Sequence, residues 1–543
     1  MKANENTSDP AAPASSATLA ADQAEPAATP AAPAASARDA CGMAAATSTT
    51  AGPAASNTCD NASTGAAPPD PAGPPPSSTS RFGLVMAVYL LGLVVGGLYV
   101  GMVAPVRTVI QADFGIGNAE GIWIITVYAL FYASFIPVIG KLADRIGRKP
   151  VFLACIALFC AGAATCGLSG VMTSPGAGQA SAGYVVLLVG RVLQAIGACG
   201  IIPVANAEIG TAAPPEKRGF ALGITAAASG IANVLGAGVG SAIIGAVGPE
   251  NWPVLFFACL PFGLVAFGMG VVVLAKGAPR PTGRMDVLGS ALMIAMVFLL
   301  LLGIQAASAD DSGSASLAGA AACFVGAAAS AALFAWVERK AQDPVFDLRY
   351  LRSCPILVTM GVSFFIGCMI NSMTLIPEFA EAALALPVGS GGLYMMVIGL
   401  FSLAGPPMGG KLIDRFSPKP VLVAGLAVAA VGYVVLGLLT AAFPSVPLMV
   451  VGLAIMGLGL GFSMGAPVNY MILENVEASE STSAVSTVTL TRQIGLSLAP
   501  AVYVAFITTG VGAIGYRPMF MVAAFFCLCG LLLMLAYKPG RIS

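Results

Sequence analysis

Gly140-Lys141-Leu142-Ala143-Asp144-Arg145-Ile146-Gly147-Arg148-Lys149-Pro150-Val151 sets five charged side chains between two long apolar runs, in a chain whose charged residues are only 9% of the whole. An echo begins at Gly410: Gly410-Lys411-Leu412-Ile413-Asp414-Arg415-Phe416-Ser417-Pro418-Lys419-Pro420-Val421. Gly, Lys, Leu, Asp, Arg, Lys, Pro and Val recur in register. Two such loops between apolar runs point to an internally duplicated helical membrane protein.

Composition narrows the class further. At 57% hydrophobic residues and a mean hydropathy of +0.88, the chain is too apolar for an ordinary soluble domain. Zero net charge gives no reason to expect a nucleic-acid partner. Histidine is absent, which removes the usual proton shuttle and the commonest metal ligand. The 12 cysteines lack metal-site spacing and read as small lipid- or protein-facing side chains, so no metal or cofactor is expected.

Residues 1–80 are mostly Ala, Pro, Ser, Thr and Gly, with too little apolar bulk to offset chain entropy. They are expected to form a disordered cytoplasmic tail, and with no apolar core after Lys2 the tail is not expected to be a secretory signal. From Leu84 onward, apolar runs of about 20 residues recur, the length that crosses about 30 Å of hydrocarbon as helix. Fourteen are predicted: 84–105, 121–140, 150–169, 184–206, 220–247, 252–275, 287–306, 316–337, 355–377, 392–410, 420–443, 446–472, 485–509 and 518–537. With the tail inside, all but four of the 25 basic residues fall in inner segments. Arg107 and Arg517 fall outside, and Arg191 and Arg492 fall within helices. That bias predicts a multi-pass protein of the cell (plasma) membrane with both termini cytoplasmic. Trp123 and Trp252 are expected as outer interfacial anchors and Trp336 as an inner one.

Eight predicted helices separate the two charged loops, whereas duplicated six-helix halves would place six between them. A two-helix central insertion accounts for the difference. The predicted organisation is an N-terminal six-helix bundle at 81–276, an insertion and linker at 277–354, and a C-terminal six-helix bundle at 355–540.

The pattern Gly-x-Leu-x-Asp-Arg-x-Gly-Arg-Lys at 140–149 resembles the loop between helices two and three of the major facilitator superfamily. In such a loop Gly140 and Gly147 permit a tight turn. Asp144 can accept from basic side chains or from a helix N-terminus, among the charges of Arg145, Arg148 and Lys149. Gly410, Lys411, Asp414 and Arg415 form the second copy, less basic and stiffer because Ser417-Pro418 replaces Gly147-Arg148. Trp123-Ile-Ile-Thr-Val-Tyr128 is similar to the opening of helix two in the family's fourteen-helix drug:proton antiporter branch, and Arg191-Val-Leu-Gln194-Ala-Ile-Gly197 to its fourth-helix motif. Arg492-Gln493-Ile-Gly495 is similar to a further element of that branch. An arginine inside a span faces a cavity or partner, or snorkels to the interface. Gly230, Gly236 and Gly240 of helix five resemble the antiporter signature, with Ala237 where its proline would stand; such spacing also serves plain helix packing.

The resemblance implies an all-α integral membrane protein of the major facilitator fold, with fourteen transmembrane helices and a small-molecule substrate held between the bundles. The expected function is proton-coupled export of drugs or other amphipathic compounds by alternating access, from a monomer in the lipid bilayer. A specific metabolite transporter or uniporter is the rival, and a receptor or accessory protein on this scaffold is the rival from another class. No nucleophile–base constellation is present, so an enzyme is not expected and no residue is assigned as catalytic. The branch usually carries an Asp in helix one, where this chain has Gly96, and no Asp or Glu lies deep in a predicted span. Proton coupling therefore rests on the resemblance, with Arg191, Gln194, Arg492, Gln493 and Glu378 as the cavity or coupling candidates.

Overall fold

The computed structural model describes residues 79–171, 179–275, 286–308, 314–341, 344, 346, 348–385, 392–464, 466–507 and 512–538. The expected tail lies outside them except for 79–80, as do Lys276, Arg280 and Arg284 of the linker. Among the described residues the chain is helical without a strand. Fourteen long helices succeed one another: α1 (Thr79–Phe114), α2 (Trp123–Ile146), α3 (Arg148–Val171), α4 (Gln179–Ala212), α5 (Arg218–Val247), α6 (Leu260–Val273), α7 (Val287–Ser308), α8 (Ser314–Glu338), α9 (Cys354–Asn371), α10 (Gly392–Phe416), α11 (Pro418–Val434), α12 (Val446–Ser463), α13 (Ser481–Phe506) and α14 (Arg517–Ala536). Among the described residues, 13 helical segments are long and apolar enough to cross a membrane. The remaining one, α13, falls short because Ser and Thr crowd its first half and Arg492-Gln493 sits at its middle.

The element ends depart from the apolar runs where packing overrides composition. Helix α1 continues past Pro105 to Phe114, because Val106, Ile110 and Phe114 recur four apart and are all buried. Gly115, at φ 64°, then closes it, with Gly115 N donating to Ala112 O and Ile116 N to Gln111 O. The sixth, ninth and twelfth spans, each expected as one helix, are interrupted. Short helices Val254–Phe257, Ile376–Leu384 and Ala466–Glu474 adjoin α6, α9 and α12, and Pro261, Pro377 and Pro467 stand beside the breaks. Trp252 also corrects an expectation: it is 0% exposed, wedged near Phe114 and Phe256, with its indole N–H on Asp113 Oδ2 at 2.8 Å. Aromatic packing and a polar partner near the end of α1 hold it there, with no part of its ring left exposed. Trp123 and Trp336 are exposed, the latter under the Lys340 ammonium.

Two bundles share one packing scheme. In the first, α1 lies on α5 and α6, α3 on α4 and α6, and α2 on α4. In the second, α9 lies on α13 and α14, α11 on α12 and α14, and α10 on α12. The bundles meet where α2 crosses α13 and α5 crosses α10. Helices α7 and α8 pair with each other, and α7 leans on the α2–α13 seam through a cluster that includes Leu130, Met293, Val297 and Leu490. Apolar side chains such as Val272, 84% exposed, face outward, as expected where the surrounding solvent is lipid. With no hydrophobic drive between helices, close backbone contact holds each bundle. At Gly197 an added Cβ would stand 2.4 Å from Phe159 N, and at Gly459 2.2 Å from Ala429 N.

The two loop copies also share a turn. Gly147 ends α2 at φ 100°, ψ 149°, and Ser417 ends α10 at φ 77°, ψ 162°. That backbone region is nearly exclusive to glycine and costs a side-chain-bearing residue on the order of 1–3 kcal/mol. Ser417→Gly should therefore stabilise the protein by about 1 kcal/mol, net of the added chain entropy. A thermal melt of the purified variant checks this, and an unchanged or lower midpoint would mean that the serine turn is unstrained.

Candidate functional site

The charged stretches are built around helix ends. Asp144 lies in the last turn of α2, near the negative end of that helix, where an acid is unfavourable on its own. Its partner is the positive end of another helix: Oδ1 accepts from Thr482 N at 3.1 Å and Oδ2 from Ser483 N at 2.7 Å, in the first turn of α13. Gly140 makes room for this approach, since a Cβ there would meet the Ser486 side chain and, at 3.1 Å, Thr482 O. Arg148 gathers the surroundings. It pairs with Glu208 Oε2 at 2.8 Å and donates to Thr211 Oγ1 at 2.7 Å, Ala478 O at 2.9 Å, Thr482 Oγ1 at 3.3 Å and Ser481 Oγ. Lys149 donates to Val271 O at 2.7 Å and Leu274 O at 2.5 Å, capping the C-terminus of α6. Arg145 is half-buried in the last turn of α2.

The second copy repeats the geometry across the other seam. Asp414 Oδ1 accepts from Gly219 N at 2.6 Å and Oδ2 from Phe220 N at 2.9 Å, in the first turn of α5. Gly410 abuts Gly219, whose carbonyl would stand 2.3 Å from an added Cβ. Farther along that seam, Gly223 sits under Pro406 O at the corresponding 2.3 Å. Lys419 donates to Tyr537 O at 2.9 Å, mirroring Lys149 at the end of α14. Lys411 lies over the Phe220 ring and Arg415 over Phe416. Pro418 occupies the place of Arg148, so the second copy has no side-chain fan.

Between the bundles lies a cavity of about 420 Å³, lined from α1, α2, α4, α5, α9 and α13 and from residues 464–469. Arg191, Arg492 and Gln493 line it, together with Tyr128, Tyr132, Asn206, Thr225, Ser229, Asn233 and Asn469. The rest of the wall is apolar or glycine, and none of the lining residues is acidic. Arg191 is 3% exposed; Nε donates to Ile124 O at 2.9 Å, and Nη1 donates to Gln194 Oε1 at 3.2 Å. Its guanidinium lies 4.4 Å from the Tyr128 ring centre and 5.7 Å from that of Tyr99.

The predicted site residues thus separate. Arg191, Arg492 and Gln493 share one wall, with Gln194 buried behind Arg191. Gly236 and Gly240 press on α1, where added Cβ atoms would stand 2.2 Å from Leu98 O and 2.7 Å from Met102 O. Gly230 does not: it lines the cavity, and a Cβ there would meet nothing within 4 Å. Glu378 is exposed in the first turn of Ile376–Leu384 and is absent from the cavity wall. Gly96, at the place of the family's helix-one acid, does line the wall, with open space beside it. The asparagines and the Thr225/Ser229/Asn233 stripe escaped the sequence reading, although a four-residue polar spacing on α5 is a readable signal for a wetted helix face.

The family model described as Major Facilitator Superfamily matches residues 89–370 and 357–542. The chain belongs to that superfamily. It is 30% identical over 440 residues to YfiU, an uncharacterised MFS-type transporter of Bacillus subtilis, covering 79% of this chain and 80% of YfiU. It is 28% identical to the multidrug transporter protein MdtP of the same species, over 74% of this chain and 70% of MdtP. Among solved structures, a double-tryptophan mutant of XylE superposes with a TM-score of 0.62 at 13% identity, covering 86% of this chain and 98% of that one. The protein is therefore a multi-pass membrane transporter of the major facilitator fold that handles a small molecule.

The glycine contacts yield a contrast. Gly236→Ala drives a methyl into the α1 backbone and should lower stability by about 1–3 kcal/mol. Gly230→Ala should leave stability unchanged or slightly raised, since alanine favours helix. Paired thermal melts in detergent decide; equal effects would remove the distinction.

Proposed function

We propose that the protein is a secondary active exporter of amphipathic small molecules that works by alternating access and proton antiport. The observation that carries this reading is the mirrored pair of interbundle links, Asp144 on α13 and Asp414 on α5, flanking one shared cavity. Each carboxylate binds backbone N–H groups that only the opposite bundle supplies. Rocking the bundles breaks those bonds, and returning them remakes the bonds. The links act as latches that hold the cytoplasmic side closed, and with them broken the cavity opens inward. The moving bodies are 81–276 and 355–540, with 277–354 as an inserted pair and linker and 1–80 as a cytoplasmic tail. The abundance of basic residues near both latches supports a cytoplasmic placement of that end and of both termini, in the plasma membrane. The first latch is dominant, because Arg148 ties α3, α4 and the approach to α13 together and Pro418 cannot do the same.

The multidrug role named for MdtP supports drug-like substrates. A cavity of about 420 Å³ with mixed apolar and neutral polar walls suits an amphipathic compound, and one monomer contains a complete site. Proton antiport rests on the likeness to the fourteen-helix branch. The wall's lack of an acid favours the rival, a uniporter or specific metabolite carrier, at this one point.

Two measurements test the scheme. Asp144→Asn loses a charge that faces two backbone donors, so it should lower transport in proteoliposomes at least tenfold with normal membrane insertion. Wild-type activity in that variant would remove the latch. Substrate efflux should accelerate several-fold under an opposing proton gradient; indifference to both the pH gradient and the membrane potential would make uniport the better description.

A further inference from the structure

The cavity wall carries two guanidinium groups and no carboxylate. Arg191 is held by neutral groups only, a backbone carbonyl, the Gln194 amide oxygen and two tyrosine faces. Arg492, on α13, has neither an ion-pair partner nor a hydrogen-bond acceptor among the described residues. The Tyr128 hydroxyl is buried on the same wall and is likewise unpartnered there. Charge in a low-dielectric site is expensive until an opposite charge arrives, and guanidinium groups form their strongest hydrogen bonds with oxyanions. The asparagines, Gln493, Thr225, Ser229 and Tyr132 add neutral polar groups, and the remaining surface is apolar or glycine.

We infer that the cavity selects amphipathic organic anions, compounds with an apolar ring body and a carboxylate, sulfonate or phenolate group, over lipophilic cations. The anionic group sits between Arg191 and Arg492, and the ring body lies on the apolar wall of α1 and α4. This rests on the reading of the cavity as the substrate site. Gly96 is the discriminating position. It lines the same wall with nothing within 4 Å of an added Cβ, so an aspartate fits there and supplies the missing negative charge.

The test uses two xanthene dyes of similar shape and opposite charge, fluorescein and a cationic rhodamine methyl ester. Binding to the purified full-length protein is read by fluorescence polarisation, and flux is read in proteoliposomes of one lipid composition. Fluorescein should bind at least tenfold more tightly than the rhodamine ester. Gly96→Asp should cut that preference roughly tenfold or reverse it, and Arg492→Gln should weaken fluorescein alone while Arg492→Lys retains most of its binding. Equal or tighter rhodamine binding by the wild type, no binding of either dye, or a preference untouched by Gly96→Asp overturns the inference. Flux separates the two readings. Anion-selective binding without movement of dye sinks the transport of such compounds but keeps the charge selectivity, whereas flux of the rhodamine ester alone sinks the selectivity and keeps the transport.

Discussion

Every helix begins with amide groups that its own turns cannot satisfy, and where those groups are packed against protein an acceptor must be supplied from elsewhere in the fold. In this protein the first turns of α5 and α13 receive carboxylates from the opposite bundle, Asp414 and Asp144. The arrangement meets two needs together. Each aspartate lies at the negative end of its own helix and gains from reaching a positive one, while each helix start gains an acceptor. Within a bundle, backbones touch through glycines such as Gly197 and Gly459, and Gly219, Gly223 and Gly410 do the same across the α5–α10 seam. To that contact the joint adds a few charge-assisted bonds, each worth on the order of 1.5–3 kcal/mol.

The duplication keeps the packing scheme and the turn of the charged loop, but not all of their chemistry. Lys149 and Lys419 cap α6 and α14 in the same manner, and the turns at Gly147 and Ser417 follow nearly the same path. Of the four positions at which the loop copies differ, the one that changes the polar contacts is Arg148 against Pro418. A guanidinium reaches Glu208 and Thr211 on α4 and acceptors on the 478–482 segment, whereas a pyrrolidine ring offers no donor. Helix α7 adds to the imbalance by leaning on the α2–α13 seam, whereas among the described residues neither α7 nor α8 packs on the α5–α10 seam. The two seams are therefore unequal in both polar and apolar contact.

The architecture was legible in the sequence because its signals are strong and local: runs of about 20 apolar residues, a basic bias and a repeated loop. Asp144 and its capacity to bind a helix start were legible too. What hydropathy hid was where that helix starts, since Ser481-Thr482-Ser483 opens α13 four residues before the predicted span and reads as loop by composition. Breaks at Pro261, Pro377 and Pro467 were hidden for a related reason, because apolar runs continue through them. Trp252 shows the limit of interfacial rules, as its placement depends on Asp113, a residue far away in sequence. Gly230 and Gly236 look alike in the chain, and only the neighbouring helix makes one a contact and the other a wall.

Gly96 and the two cavity arginines belong to one electrostatic arrangement. An acid at position 96 would give the wall a counter-charge and leave its guanidinium groups partly neutralised. Glycine there leaves Arg191 with carbonyl and amide oxygens and aromatic faces, which orient a cation without cancelling it. A cavity wall with uncancelled positive charge has a field of one sign, strongest where solvent is thinnest. Apolar surface on α1 and α4 then fixes how a ring system lies, and the field fixes which charged end it must present. Shape and charge thereby act on different parts of the same molecule, which gives selectivity without a dense set of hydrogen bonds.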